Sequence, residues 1–116
     1  MDVQLSVRPG RRCMVVEVAG ELDMATSPQL HESLQRVLDA GTHNVVVDLA
    51  RVGFMDSSAL GALVTIFNAA NERGGQLCLA AVQPLVRDVL AVTSVDRAIA
   101  VYDTVLAAEA SMPSAG

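Results

Sequence analysis

Val3, Leu5 and Val7 alternate with polar neighbours, and beyond Pro9 and Gly10 a second run from Cys13 to Ala19 is dense in Val and Met. Period-two alternation marks a strand with one buried face, and a Pro-Gly pair marks a turn, so the chain opens with a predicted β-hairpin. Gly20 to Asp23 interrupt this pattern. Thr26, Ser27 and Pro28 then carry helix-start chemistry: a hydroxyl cap, Pro in the first turn, and Gln29 three residues after Thr26. Leu30, Leu34, Val37 and Leu38 recur at helical spacing, Glu32, Gln35, Arg36 and Asp39 cover the other side, and Gly41 supplies the stop.

Val45, Val46, Val47 and Leu49 form a β-branched run of the kind expected in a central strand covered on both faces. A helix is predicted from Ser57 to the Gly74-Gly75 pair, then a strand from Gln76 to Val82 and a short helix opened by Pro84, from Leu85 to about Val92. Ile99 to Tyr102 read as a last strand, with Asp103 capping a final helix. Strands that alternate with helices in this way require a mostly parallel sheet joined by right-handed crossovers. The expected fold is therefore α/β: one domain over residues 1–111, a mixed, mostly parallel sheet with about four helices packed on it, and a flexible tail at 112–116.

Composition narrows the function. At 116 residues, with 52% hydrophobic and 18% charged positions, the chain can bury a core without disulfides or metals. Only 3% of residues are aromatic and the formal charge is −5, which argues against stacking on bases and against binding a phosphate backbone. Arg8, Arg11 and Arg12 flank Pro9 and Gly10 and read as a charged turn. The two cysteines, Cys13 and Cys78, sit singly in apolar runs and read as small core residues. No leader-like start and no stretch of about 18 apolar residues is present, so the expected setting is cytoplasmic, without membrane or nucleic-acid partner and without a cofactor.

The informative stretch is VVVDLARVGFMDSSALGALV, residues 45–64, where a buried strand passes through a short loop into a helix that begins at Asp56, Ser57 and Ser58. Unpaired N–H groups and the helix dipole favour negative charge at that end, so the fold tolerates a phosphate on Ser57; the same residues also suit an ordinary cap. At about 100° per residue, Leu60, Leu63, Val64, Phe67 and Ala70 face the core, while Ser58, Gly61, Ala62, Thr65 and Ala69 face outward. No charged residue lies between Asp56 and Glu72. A small, uncharged outer face lets another protein approach closely, which makes it a candidate docking surface beside Ser57.

FMDSSALG, from Phe54 to Gly61, and GELD, from Gly20 to Asp23, resemble the two most telling motifs of the STAS domain family, in particular the bacterial anti-sigma-factor antagonists. The resemblance extends over nearly the whole chain, with Ala59 standing where the family often has Gly. It implies a partner-switching cycle. Unmodified antagonist binds an anti-sigma factor with serine kinase activity and frees a sigma factor; phosphorylation inactivates it, and a serine phosphatase restores it. Ser57 matches the phosphorylated position, Asp23 an acidic residue near it, and Asp56, Ser58 and Gly61 the surrounding loop and helix start. The family also includes domains appended to anion transporters and to stress-sensing complexes, so a role in another signalling assembly stays open.

Other chemistries are weaker. A serine hydrolase needs a base near Ser57, yet GxSxG is absent and His31 and His43 fall on the first helix and the loop after it, where solvent exposure is expected. No GxxxxGK[ST] or GxGxxG occurs to cradle a nucleotide. Asp23, Asp48 and Asp56 offer a magnesium-binding cluster that would place phosphate on Asp instead of Ser.

Overall fold

The computed structural model describes residues 3–113. In chain order it contains β1 (Gln4–Pro9), β2 (Met14–Leu22), α1 (Ser27–Asp39), β3 (Asn44–Met55), α2 (Ser57–Glu72), β4 (Gln76–Ala80), α3 (Pro84–Val92), α4 (Val95–Ala98), β5 (Val101–Tyr102) and α5 (Val105–Ala110). The strands form one five-stranded sheet in the order β1-β2-β3-β4-β5. β1 runs antiparallel to β2 as the predicted hairpin, and all other pairings are parallel.

One face of the sheet carries most of the core. Val16, Val18 and Leu22 of β2, Val45, Val47, Leu49, Val52 and Met55 of β3, and Leu77 and Leu79 of β4 pack there against α1, α2 and α3. Alternation along each strand sends the neighbouring residues to the opposite face. There Val15, Val46, Cys78 and Ala80 meet Cys13, Ala108 and Met112 in a second, smaller cluster under α5. Both cysteines are free and buried, and burial pushes the Cys78 thiol up to about 12, so they serve as packing groups.

Several boundaries depart from expectation. β2 continues through Gly20 to Leu22, and β3 runs on past Leu49 to Met55 with no intervening loop. Register shifts between Glu17 and Ala19 and between Gly20 and Glu21 break the period-two signal while the strands stay paired. α4 is an additional single turn, set off from α3 by Ser94, whose left-handed φ of 63° ends the preceding helix. The hydroxyl that caps α5 belongs to Thr104, which accepts from the Ala107 N–H at 3.0 Å; Asp103 instead pairs with Arg87. Thr26 precedes α1 but its side chain makes no cap, because its hydroxyl donates to the Glu21 carbonyl at 2.7 Å. Met112 is buried under α5, so packing extends into the stretch expected to be a tail; residues 114–116 lie outside the described region.

Gly75 sets the start of β4 against the end of the α1–β3 connection, where the Gln76 N–H donates to the His43 carbonyl at 3.0 Å. A Cβ on Gly75 would lie 2.0 Å from that carbonyl oxygen, whereas one on Gly61 would meet nothing within 4 Å. Gly75→Ala is therefore expected to lower unfolding free energy by about 3 kcal/mol or more. Gly61→Ala should raise it by about 0.5–1 kcal/mol, because Ala loses less backbone entropy in a helix. Urea titration of the two variants checks both signs.

Candidate functional site

β2, β3 and β4 are parallel, so the residues that follow them gather at one edge of the sheet. The Asp56 N–H donates to the Leu22 carbonyl at 2.9 Å, and this bond joins the end of β2 to the start of α2. The turn that follows Leu22 is built by Asp23, whose Oδ1 accepts from the Ala25 and Thr26 N–H groups at 2.9 and 3.0 Å. Such a closed turn is what a short carboxylate followed by a hydroxyl residue favours. Asp23, Asp56, Ser57 and Ser58 thus come together at one edge.

Asp56 is the N-cap of α2, with extended backbone and a carboxylate that accepts from the N–H groups of Ser58 and Ala59 at 2.9 and 3.3 Å. The Ser58 hydroxyl donates to the same oxygen. These donors hold the Asp56 carboxyl below the usual carboxylate range, chiefly through the Ser58 hydroxyl, with smaller contributions from the backbone N–H groups of Ala59, Ser58 and Met24. The two serines are consequently unlike. Ser58 is half-buried and committed to Asp56, whereas Ser57, the first residue of α2, is exposed with the unpaired end of the helix behind it.

Along α2, Ser57, Gly61 and Thr65 are exposed at a spacing of one turn, and the Thr65 hydroxyl donates to the Gly61 carbonyl at 2.9 Å. This keeps the outer line small and uncharged. Ala62 does not belong to it: the structure buries Ala62 with Ala59 and Ile66 in the main core, and Val64 and Phe67 are only partly buried. α2 packs beside α1 as well as on β3 and β4, so its buried stripe is wider than a single face drawn from the sequence.

The alternative chemistries fare differently. Asp48 pairs in register with Glu17 and Ala80, eight residues before Asp56 along β3, so the proposed three-aspartate cluster does not assemble. Among the described residues no group of three His, Cys, Asp or Glu is placed to hold a metal ion. His43 precedes β3 and Ser57 follows it, so the length of that strand separates them. His31 and His43 are both half-buried, not exposed as expected; His43 lies against the close approach of Gly75.

The family model described as the STAS domain matches residues 4–108. The chain belongs to the STAS domain family. Among curated relatives of this STAS chain, the anti-sigma F factor antagonist of Paenibacillus polymyxa is 30% identical over 107 residues, spanning 89% of both chains. Among solved structures, an anti-sigma factor antagonist from Mycobacterium paratuberculosis superposes with a TM-score of 0.87 at 26% identity, covering 95% of this chain and 93% of that one. SpoIIAA of Bacillus, solved in its unphosphorylated and phosphorylated forms, gives TM-scores of 0.77 and 0.69 at 20% identity over 90% of this STAS chain and 92% and 96% of its own. These relatives are named as anti-sigma factor antagonists, a regulatory and not an enzymatic class. No helix among the described residues is long and apolar enough to cross a membrane.

Sequence reasoning missed Met24 and Phe54. They are 78% and 42% exposed at this same edge, although Phe54 opens the FMDSSALG motif and Met24 directly follows GELD. The signal was available as two large apolar residues outside any periodic run.

Because the folded Asp56 carboxyl titrates below its unfolded value, its contribution to stability is complete above the ordinary carboxylate range and is lost as pH falls through the lowered folded value. Asp56→Ala is expected to cost about 1 kcal/mol at pH 7 by removing the cap. The difference in melting temperature between wild type and variant should shrink steadily below about pH 4, as calorimetry across a pH series would show.

Proposed function

We propose that this chain is an anti-sigma factor antagonist worked by phosphorylation of Ser57. Unmodified, it binds an anti-sigma factor that has serine kinase activity, and a sigma factor is released to direct transcription. In the modifying step the Ser57 hydroxyl oxygen forms a bond to the γ-phosphorus of ATP, the bond from that phosphorus to the ADP oxygen breaks, and the hydroxyl proton is released. A serine phosphatase reverses the modification by hydrolysis. The setting for such a cycle is the cytoplasm, where transcription takes place.

The observation that carries this reading is the exposed Ser57 at the opening of α2, next to a cap already supplied by Asp56. The names of the relatives support the partner class. Physically, a phosphate adds about −1.5 to −2 charges at one point. The amide groups and dipole of α2 stabilise that charge within the domain. A partner packed closely over Gly61 and Thr65, with nucleotide phosphates of its own brought up to Ser57, meets it with repulsion and desolvation. Each 1.4 kcal/mol so lost weakens binding tenfold. Asp23, Asp56 and Ser58 shape the edge, and Gly61 and Thr65 supply the close approach.

The test is affinity capture from the native cytoplasm with wild type and Ser57→Asp as baits, with identification of ATP-binding kinases. Wild type should retain an anti-sigma factor kinase, and Ser57→Asp should bind it about 100-fold more weakly with an unchanged circular dichroism spectrum. Ser57→Ala should stay bound after incubation with ATP. Equal retention of that kinase by wild type and Ser57→Asp would contradict the mechanism.

A further inference from the structure

Any protein that phosphorylates Ser57 must cover the ground around it, and what lies there is not polar throughout. Phe54 is three residues from Ser57, and three residues of chain span at most about 11 Å. Met24 lies two residues beyond Leu22, whose carbonyl accepts the Asp56 N–H, and its own backbone N–H lies near the Asp56 carboxylate. A standard protein interface buries about 800 Å² on each partner, roughly a disc of 16 Å radius. The footprint of a kinase centred on Ser57 is therefore wide enough to reach Met24 and Phe54.

Their exposure makes this costly to leave unused. At 78% and 42% exposed, both present apolar surface to water, and Phe and Met are among the residue types enriched in protein interfaces, where burying apolar surface is favourable. The surrounding charge is mainly acidic, with Arg51 the exposed cation nearest along β3. Glu21, Asp23 and Asp56 share this edge, and none of them forms an ion pair among the ones the described residues make. The complementary surface is apolar at its centre and bordered by cations.

Resting on the Ser57 reading above, we propose that Met24 and Phe54 are the apolar anchors by which the Ser57 kinase grips this chain, and that the kinase meets them with an apolar pocket rimmed by Arg or Lys. They determine which kinase recognises the chain without touching the transferred phosphoryl group. The other exposed large apolar side chains are Val7 on β1, Leu85 and Val92 at the two ends of α3, and Leu106 on α5.

The test uses the full-length chain and a kinase purified by its transfer of γ-phosphate from ATP to wild type but not to Ser57→Ala. Met24→Ser and Phe54→Ser should each raise KM for the protein substrate about tenfold or more, with kcat within about twofold and unchanged melting temperature. Met24→Leu should keep the wild-type KM, and so should Val92→Ser and Leu106→Ser. An unchanged KM in Met24→Ser or in Phe54→Ser, with Ser57 still phosphorylated, would overturn the anchors while leaving the Ser57 switch standing. Absence of any activity that transfers phosphate to Ser57 would remove the switch itself, and the anchors with it.

Discussion

A single carboxylate holds this edge of the molecule in shape. Asp56 caps α2 through the Ser58 and Ala59 N–H groups, takes the Ser58 hydroxyl, and through its own N–H fastens the start of α2 to the Leu22 carbonyl of β2. Two segments far apart in sequence, the turn after β2 and the opening of α2, become one surface because of it. Ser57 is exposed as a consequence: the capping oxygen and the neighbouring hydroxyl are already engaged with each other, and the first residue of the helix is left facing solvent.

That arrangement separates two roles which the sequence writes as adjacent letters. Ser58 belongs to the cap and Ser57 does not, so charge can be added at Ser57 without taking away the bond that starts the helix. The helix terminus also has favourable electrostatics to offer a phosphate, since its dipole and remaining amide groups point there. Against this, Glu21, Asp23 and Asp56 make the edge acidic in advance. The dipole stabilises the added charge locally; the carboxylates increase the negative field an approaching partner meets. On the proposed reading, a phosphate at Ser57 changes what the domain binds while its core stays as it was.

Much of the fold was legible in the chain itself. The aliphatic run at Val45, Val46 and Val47 is buried on both faces because α5 covers one side and α1 and α2 the other, and the helix stops at Gly41 and Gly74 adopt the positive φ their positions required. The DSS triplet at a helix start was readable because cap chemistry is local. What could not be read depends on contacts between distant segments. The bulged ends of β2 and β3 look like breaks until their pairing is known. Ala62 looks like an outward residue until α1 is set beside α2. The Thr26 hydroxyl looks like a cap until the Glu21 carbonyl is found nearer to it, and Asp103 loses the cap of α5 to Thr104 for the similar reason that Arg87 approaches it. Asp48 resembles a partner for Asp56 only while the length of β3 is unknown.

The central claim is that the opening of α2 accepts a dianion at Ser57 with no rearrangement of the domain. Amide chemical shifts of the chain before and after stoichiometric phosphorylation of Ser57 test it most directly. The account predicts shift changes confined to Asp23–Ala25 and Asp56–Leu60, with the resonances of Val45, Val46 and Val47 and of the β1–β2 hairpin unmoved. Changes spread through the sheet, or loss of the folded spectrum, would contradict it.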